Sequence, residues 1–146
     1  MPRFVVLFHQ CPPDYARPSH WDLMLEADGV LRTWALAQLP CHWLRAHQAT
    51  VAACGSCPPL AASDTVHAEQ LADHRMAYLD YEGPVSGNRG SVVRVASGSF
   101  AELGRAADQL AIALTSPSWC GRVAFHRDSD RGTRWQVAVE PPATGD

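Results

Sequence analysis

The residues best suited to chemistry lie on one short stretch, His20-Trp21-Asp22-Leu23-Met24-Leu25-Glu26. Its period is two. His20, Asp22, Met24 and Glu26 fall on one side, and Trp21, Leu23 and Leu25 on the other, which predicts a β-strand with one face buried and one open. Side chains two apart on a strand share a face, roughly 7 Å from each other. An imidazole and a carboxylate on neighbouring positions of a stiff element can share a divalent cation. The same residues also read as an exposed polar face with no ligand. His9 closes the apolar run at residues 4–8 and adds a second imidazole. His9, His20 and Asp22 together would leave coordination positions for water and substrate, a set suited to Mn²⁺, Fe²⁺ or Zn²⁺.

Two further groupings bear chemistry. His74 and Tyr78 are four apart and would share a face on a helical turn, where they could bond a phosphate oxygen or assist a leaving group. The bland alternative is a surface histidine beside a half-buried tyrosine. Cys54-Gly55-Ser56-Cys57, with Cys41, His42 and His47 upstream, is a lone C-x-x-C without the strand–helix context of a redox site or the second pair of a zinc ribbon. It reads as a loop of reduced thiols. No phosphate-binding glycine loop, dinucleotide fingerprint or G-x-S-x-G elbow is present, so nucleoside-triphosphate hydrolysis and serine-hydrolase chemistry have no motif.

The elements that must position these residues follow from pattern. Residues 4–8 read as a buried strand, and 10–19, with Pro12, Pro13 and Pro18, as a loop. Asp28-Gly29 suits a tight hairpin, so 20–26 and 30–37 should pair antiparallel. Residues 38–64 are irregular, with a weak element near 43–51. Residues 84–90 are a loop and 91–96 a strand. Residues 100–114 predict the one clear helix: Ser99 and Glu102 have capping-box spacing, and Phe100, Leu103, Ala107, Leu110 and Leu114 form a 3.6-residue stripe. Residues 121–126 and 135–139 are short strands around a charged loop, and 141–146 a frayed tail. The expectation is a mainly β protein, a compact barrel with that flanking helix and short helical turns, forming a single domain over 1–146.

The composition is that of a globular protein. The chain has 146 residues, nearly half of them apolar, and a net charge of −3. That balance counts against a generic duplex-DNA binder, which carries a basic excess. Five cysteines, an odd number without a secretion signal, suggest reduced thiols and a cytoplasmic location. No apolar run is long enough to span a bilayer.

In order along the chain come Phe4-Val5-Val6-x-x-His9, the 20–26 stretch, Gly29-Val30-Leu31-x-x-Trp34-Ala35, Asp73-His74-x-x-x-Tyr78-x-x-Tyr81-Glu82-Gly83 and Ser86-Gly87-x-x-Gly90. This ordered set resembles the 3′-phosphoesterase domain found at the N-terminus of bacterial DNA ligase D and also as a free-standing protein. The resemblance covers nearly the whole chain. It implies a Mn²⁺-dependent β-barrel enzyme that removes a terminal ribonucleotide and then a 3′-phosphate from nucleic-acid ends. It further implies metal ligation by His9, His20 and Asp22, contact of His74 and Tyr78 with the scissile phosphate, and support from Glu26 or Asp73. A separate DNA ligase or polymerase would be the partner, with no membrane involved.

The chain departs from the family pattern in its cations. Met24 stands where the family strand carries arginine, Leu7 where it carries glutamine, Gln38 where many members carry lysine, and Val66 where an arginine is expected. The loop between His9 and His20 is also longer. A thioether cannot replace a guanidinium on a phosphate. Either Arg32, Arg75 or Arg89 supplies the charge, Arg75 and Arg89 being the better placed, or the substrate differs. The alternatives are a metal phosphodiesterase on another ester and a non-catalytic module that binds nucleic-acid ends.

Overall fold

The computed structural model describes residues 1–40, 43, 65–116, 121–128 and 132–140. The weak element near 43–51 (Trp43 apart), the Cys54–Cys57 loop and the 141–146 tail lie outside them. Nine strands form one antiparallel sheet: β1 (Arg3–Gln10), β2 (His20–Ala27), β3 (Val30–Leu36), β4 (Thr65–His74), β5 (Gly83–Pro84), β6 (Ser91–Ala106), β7 (Gln109–Thr115), β8 (Gly121–Arg127) and β9 (Arg134–Glu140). The spatial order is β1-β2-β3-β4-β9-β8-β7-β6-β5, and β1 also pairs with β6. Hydrogen bonds therefore run in a closed ring through eight strands, with β5 as a short appendage on β6. Closure leaves no long unpaired edge in the ring.

The β2–β3 hairpin is as the sequence predicts. Trp21 faces Leu36 and Ala27 faces Val30. Asp28 and Gly29 both take positive φ, 53° and 82°, the combination that matches the twist of a two-residue hairpin.

Residues 100–114 are not a helix, and no α-helix occurs among the described residues. They form the arms of the β6–β7 hairpin, with Phe100 opposite Leu114 and Ala106 opposite Gln109. The 3.6-residue stripe misleads because Leu103, on the stripe, is 49% exposed, while Ile112, off it, is fully buried. Leu110, Ile112 and Leu114 alternate inward with a period of two. Glu102 bonds Arg105 instead of capping a helix. Two neighbours decide the outcome: β1 and β8 would each lose a partner strand if this segment coiled.

The main core lies inside the ring and includes Phe4, Phe8, Trp21, Leu23, Trp34, Ile112, Phe125 and Trp135. A second cluster, Val5, Leu7, Met24, Leu31, Leu79 and Val92, lies on the opposite side of β1 and β2, with Met76, Tyr78 and Val85 packed against it. This corrects the expectation of an open face on residues 20–26. The alternation is real, but both faces are covered, and His20 and Asp22 are 4% and 3% exposed. The cover comes from a 3₁₀ turn, Met76–Leu79. No helix of the described residues is long and apolar enough to cross a membrane.

Candidate active site

His9 and His20 face each other across the β1–β2 ladder as register partners, with ring centroids 5.0 Å apart. Asp22 follows two residues later on the same face. Its carboxylate lies between the rings: Oδ1 is 3.0 Å from His20 Nε2 and Oδ2 is 3.7 Å from His9 Nδ1.

The outer nitrogens of both rings are spoken for. His9 Nε2 donates to the Arg89 carbonyl at 2.6 Å, and His20 Nδ1 donates to the Pro18 carbonyl at 2.9 Å. A carbonyl only accepts, so in the neutral rings those nitrogens carry the protons and the inner nitrogens present lone pairs. Asp22 Oδ1 is buried and has no hydrogen bond. Asp22 thus presents one oxygen to each ring, and the second nitrogen of each imidazole is held by a backbone carbonyl, as in metal-binding histidines. The donor set fits a divalent cation such as Mn²⁺ or Zn²⁺.

Burial would raise the Asp22 carboxyl, but the two imidazoles overcome it and hold it at about 2. Burial would lower His9, yet the Asp22 carboxylate and the Arg89 carbonyl raise it above its ordinary value. Cys11, which sequence reasoning did not place near the site, also approaches. Its sulfur is 3.9 Å from His20 Nδ1, and His9, Cys11 and His20 have ligand atoms within 4.8 Å of one another. That nitrogen already serves Pro18, and burial pushes the Cys11 thiol up to about 11.

The Arg89 carbonyl reaches His9 because the 86–90 turn crosses the end of β1 closely. Gly90 has φ +89°, and a Cβ there would overlap the Gln10 carbonyl oxygen. Glycine meets both demands at once.

The three residues open into a cleft of about 400 Å³ that is also lined by Tyr15, Arg17, Asp73, His74, Arg75, Tyr78 and Arg89. His74 ends β4 just past a register shift in the β3–β4 ladder, a local irregularity of the kind that re-aims a side chain. Its Nδ1 donates to the Ala72 carbonyl at 2.9 Å, so Nε2 is the atom free to act. Tyr78, on the 3₁₀ turn, meets His74 edge-on with centroids 5.6 Å apart. The pair shares a cleft, though His74 is on a strand and not on one helical turn with Tyr78. Arg75 and Arg89 are exposed at the mouth.

Other predicted residues lie elsewhere. Glu26 does not line the cleft; its carboxylate accepts the backbone N–H of Arg3. Arg32 stacks over Trp34 at 5.0 Å. Met24 and Leu7, two of the departures from the family pattern, pack in the same second cluster, and Val66 points into the main core. Sequence reasoning missed Tyr15 and Arg17, because a proline-rich loop offers no period to say which side chains turn inward. The one available signal was their closeness in sequence to His20.

The fold and the cleft define a class: an antiparallel β protein whose closed sheet presents a buried His–His–Asp set to an arginine- and tyrosine-lined cleft. The family is more specific. Residues 14–127 match the DNA ligase D 3′-phosphoesterase domain, and the chain belongs to that family. His20, Asp22, His74, Tyr78, Arg75 and Arg89 fall inside the match, whereas His9 precedes it and joins the site on geometry. No curated protein matches the chain.

Proposed function

We propose that the protein is a divalent-metal-dependent phosphoesterase that trims 3′-phosphate or 3′-ribonucleotide ends of nucleic acid. The observation that carries the reading is the buried Asp22 carboxylate set between His9 Nδ1 and His20 Nε2, in one cleft with His74 and Tyr78. Mn²⁺ is the cation the family suggests. Held by these three residues, it would supply the Lewis acidity that polarises a phosphoryl oxygen.

The chain's own groups do the rest. His74 lines the cleft and its Nδ1 is tied to its own strand, which leaves Nε2 to hydrogen-bond the phosphate or to give a proton to the leaving oxygen. The Tyr78 hydroxyl orients the phosphoryl group. Arg75 and Arg89 add positive charge at the mouth, where a polynucleotide backbone would lie. Asp73 lines the same cleft and orients the groups around the phosphate. A ligase or polymerase acting on the resulting 3′-hydroxyl would be the functional partner.

The test is cleavage of a 5′-labelled primer–template ending in a 3′-phosphate or a single 3′-ribonucleotide, with Mn²⁺. Wild-type protein should release the terminal group, and His20→Ala, Asp22→Ala and His9→Ala should each lose at least about 100-fold, in keeping with removal of a metal ligand. Retained turnover in Asp22→Ala would sink the metal assignment. Binding of the same DNA without cleavage under any divalent metal would favour a non-catalytic end-binding module.

A further inference from the structure

Around the cleft three arginines offer charge, and they differ in how they are held. Arg89 lies over its own turn, with Nε donating to the Ser86 carbonyl at 2.6 Å and Nη2 to the Ser86 hydroxyl at 3.1 Å. Arg75 is exposed, and among the described residues its side chain has no partner. Arg17 is different. It comes from the β1–β2 loop, is only one-third exposed, and its Nη1 is 2.7 Å from Glu69 Oε2 on β4.

The backbone around Arg17 is anchored to the ligand-bearing strands. The next residue, Pro18, offers its carbonyl to His20 Nδ1. Ser19 accepts the Cys11 N–H through its hydroxyl at 3.0 Å. A turn from the Tyr15 N–H to the Pro12 carbonyl braces the other side. Arg17 is thereby fixed three residues from His20. It lines the cleft of His9, His20 and Asp22 and also an adjoining groove of about 640 Å³. Glu69 lines only the groove. The guanidinium therefore stands at the border of the two, held from the groove side.

The floor of the cleft cannot supply this charge, because Met24 occupies it. We propose that Arg17 is the phosphate-binding cation of the cleft and that Glu69 is its counter-ion in the free protein, displaced when a phosphate enters. The inference rests on the phosphoesterase reading above and adds the residue that recognises the 3′-terminal phosphate. The exchange is favourable in both directions of the comparison. A half-exposed Arg–Glu pair contributes little to stability, whereas a guanidinium binds a phosphate through two parallel hydrogen bonds and meets a larger charge.

The experiment compares affinities in Mn²⁺ for two 5′-labelled primer–templates, one ending in a non-hydrolysable 3′-methylenephosphonate and one in a 3′-hydroxyl. The ratio of the two reads terminal-phosphate recognition without turnover. Wild type should prefer the phosphonate. Arg17→Ala should cut that preference by at least about tenfold, as expected for loss of a charged hydrogen bond, with affinity for the hydroxyl end largely kept. Arg17→Lys should recover part of it. Glu69→Gln should keep or strengthen it, since the competing carboxylate is gone.

Equal losses in Arg17→Ala and Glu69→Gln would make the pair a structural brace and overturn the proposal. An undiminished preference in Arg17→Ala would do so too, leaving Arg75 or Arg89 as the phosphate ligand while the phosphoesterase reading stands. No preference in the wild type would bring down that reading, and this inference with it. Should Arg17→Ala fail to fold, Glu69→Gln decides: a weaker preference than wild type overturns the proposal.

Discussion

A carboxylate as buried as Asp22 costs stability unless a positive charge shares its site. In the free protein the His9 and His20 rings lie against it, and a divalent cation would supply that charge in full. Mn²⁺ at about 100 times its dissociation constant should add about 2.7 kcal/mol, a rise of roughly 5–10 °C in melting temperature for a chain of this size. Differential scanning calorimetry should record that rise in wild type and none in His20→Ala. Met24 yields a second prediction. It is 1% exposed within the second apolar cluster, so Met24→Arg should cost about 2–4 kcal/mol by burying a charge among Val5, Leu7 and Leu31. Urea unfolding measures it. A neutral effect would mean that the arginine finds the cleft and that the cluster opens readily there.

Elements set what single residues can do. The 86–90 turn brings the Arg89 carbonyl to His9 only because Gly90 has no Cβ. Gly90→Ala should destabilise the fold by about 1–3 kcal/mol and weaken Mn²⁺ binding, since the carbonyl that orients His9 moves with the turn. Isothermal titration of Mn²⁺ into the variant tests the second half. The β6–β7 hairpin makes an equally sharp claim. Ile112→Ala should cost about 2–4 kcal/mol, and Leu103→Ala less than about 0.5, in chemical denaturation. A helix over 100–114 with its stripe inward would reverse that order.

At the scale of the whole molecule, ring closure couples the site to the fold. β1 carries His9, and β2 carries His20 and Asp22. β1 is held on its other side by β6 across Val6–Ala96 and its neighbours. Ala96→Pro would remove a ladder hydrogen bond from a central strand, at about 3 kcal/mol or more. The expected result is loss of metal binding together with loss of the cooperative unfolding transition, although Ala96 touches no ligand. Thermal unfolding followed by tryptophan fluorescence, with Mn²⁺ binding measured in parallel, checks it. If metal binding survives, β1 and β2 hold their geometry without the ring.

The sequence by itself determined what is local. The period of two through residues 20–26 is legible because side chains two apart share a face on any strand. The Asp28-Gly29 turn is legible because its backbone angles suit few other residues. The His20–Asp22 spacing alone reads more readily as an exposed polar face than as a cation site, and the ordered motifs, through the family they resemble, tip it toward the cation. Tertiary structure decided the rest. Whether residues 100–114 coil or pair depended on β1 and β8, which lie far away in the chain. The face expected to be open was closed by residues 76–85. The tautomers of His9 and His20 were set by the Arg89 and Pro18 carbonyls, and Arg17 reached the border of the cleft through a loop with no periodicity. A pattern reports the neighbours a residue has along its own chain, whereas strand pairing, burial and hydrogen-bond direction are set by neighbours that only folding brings near.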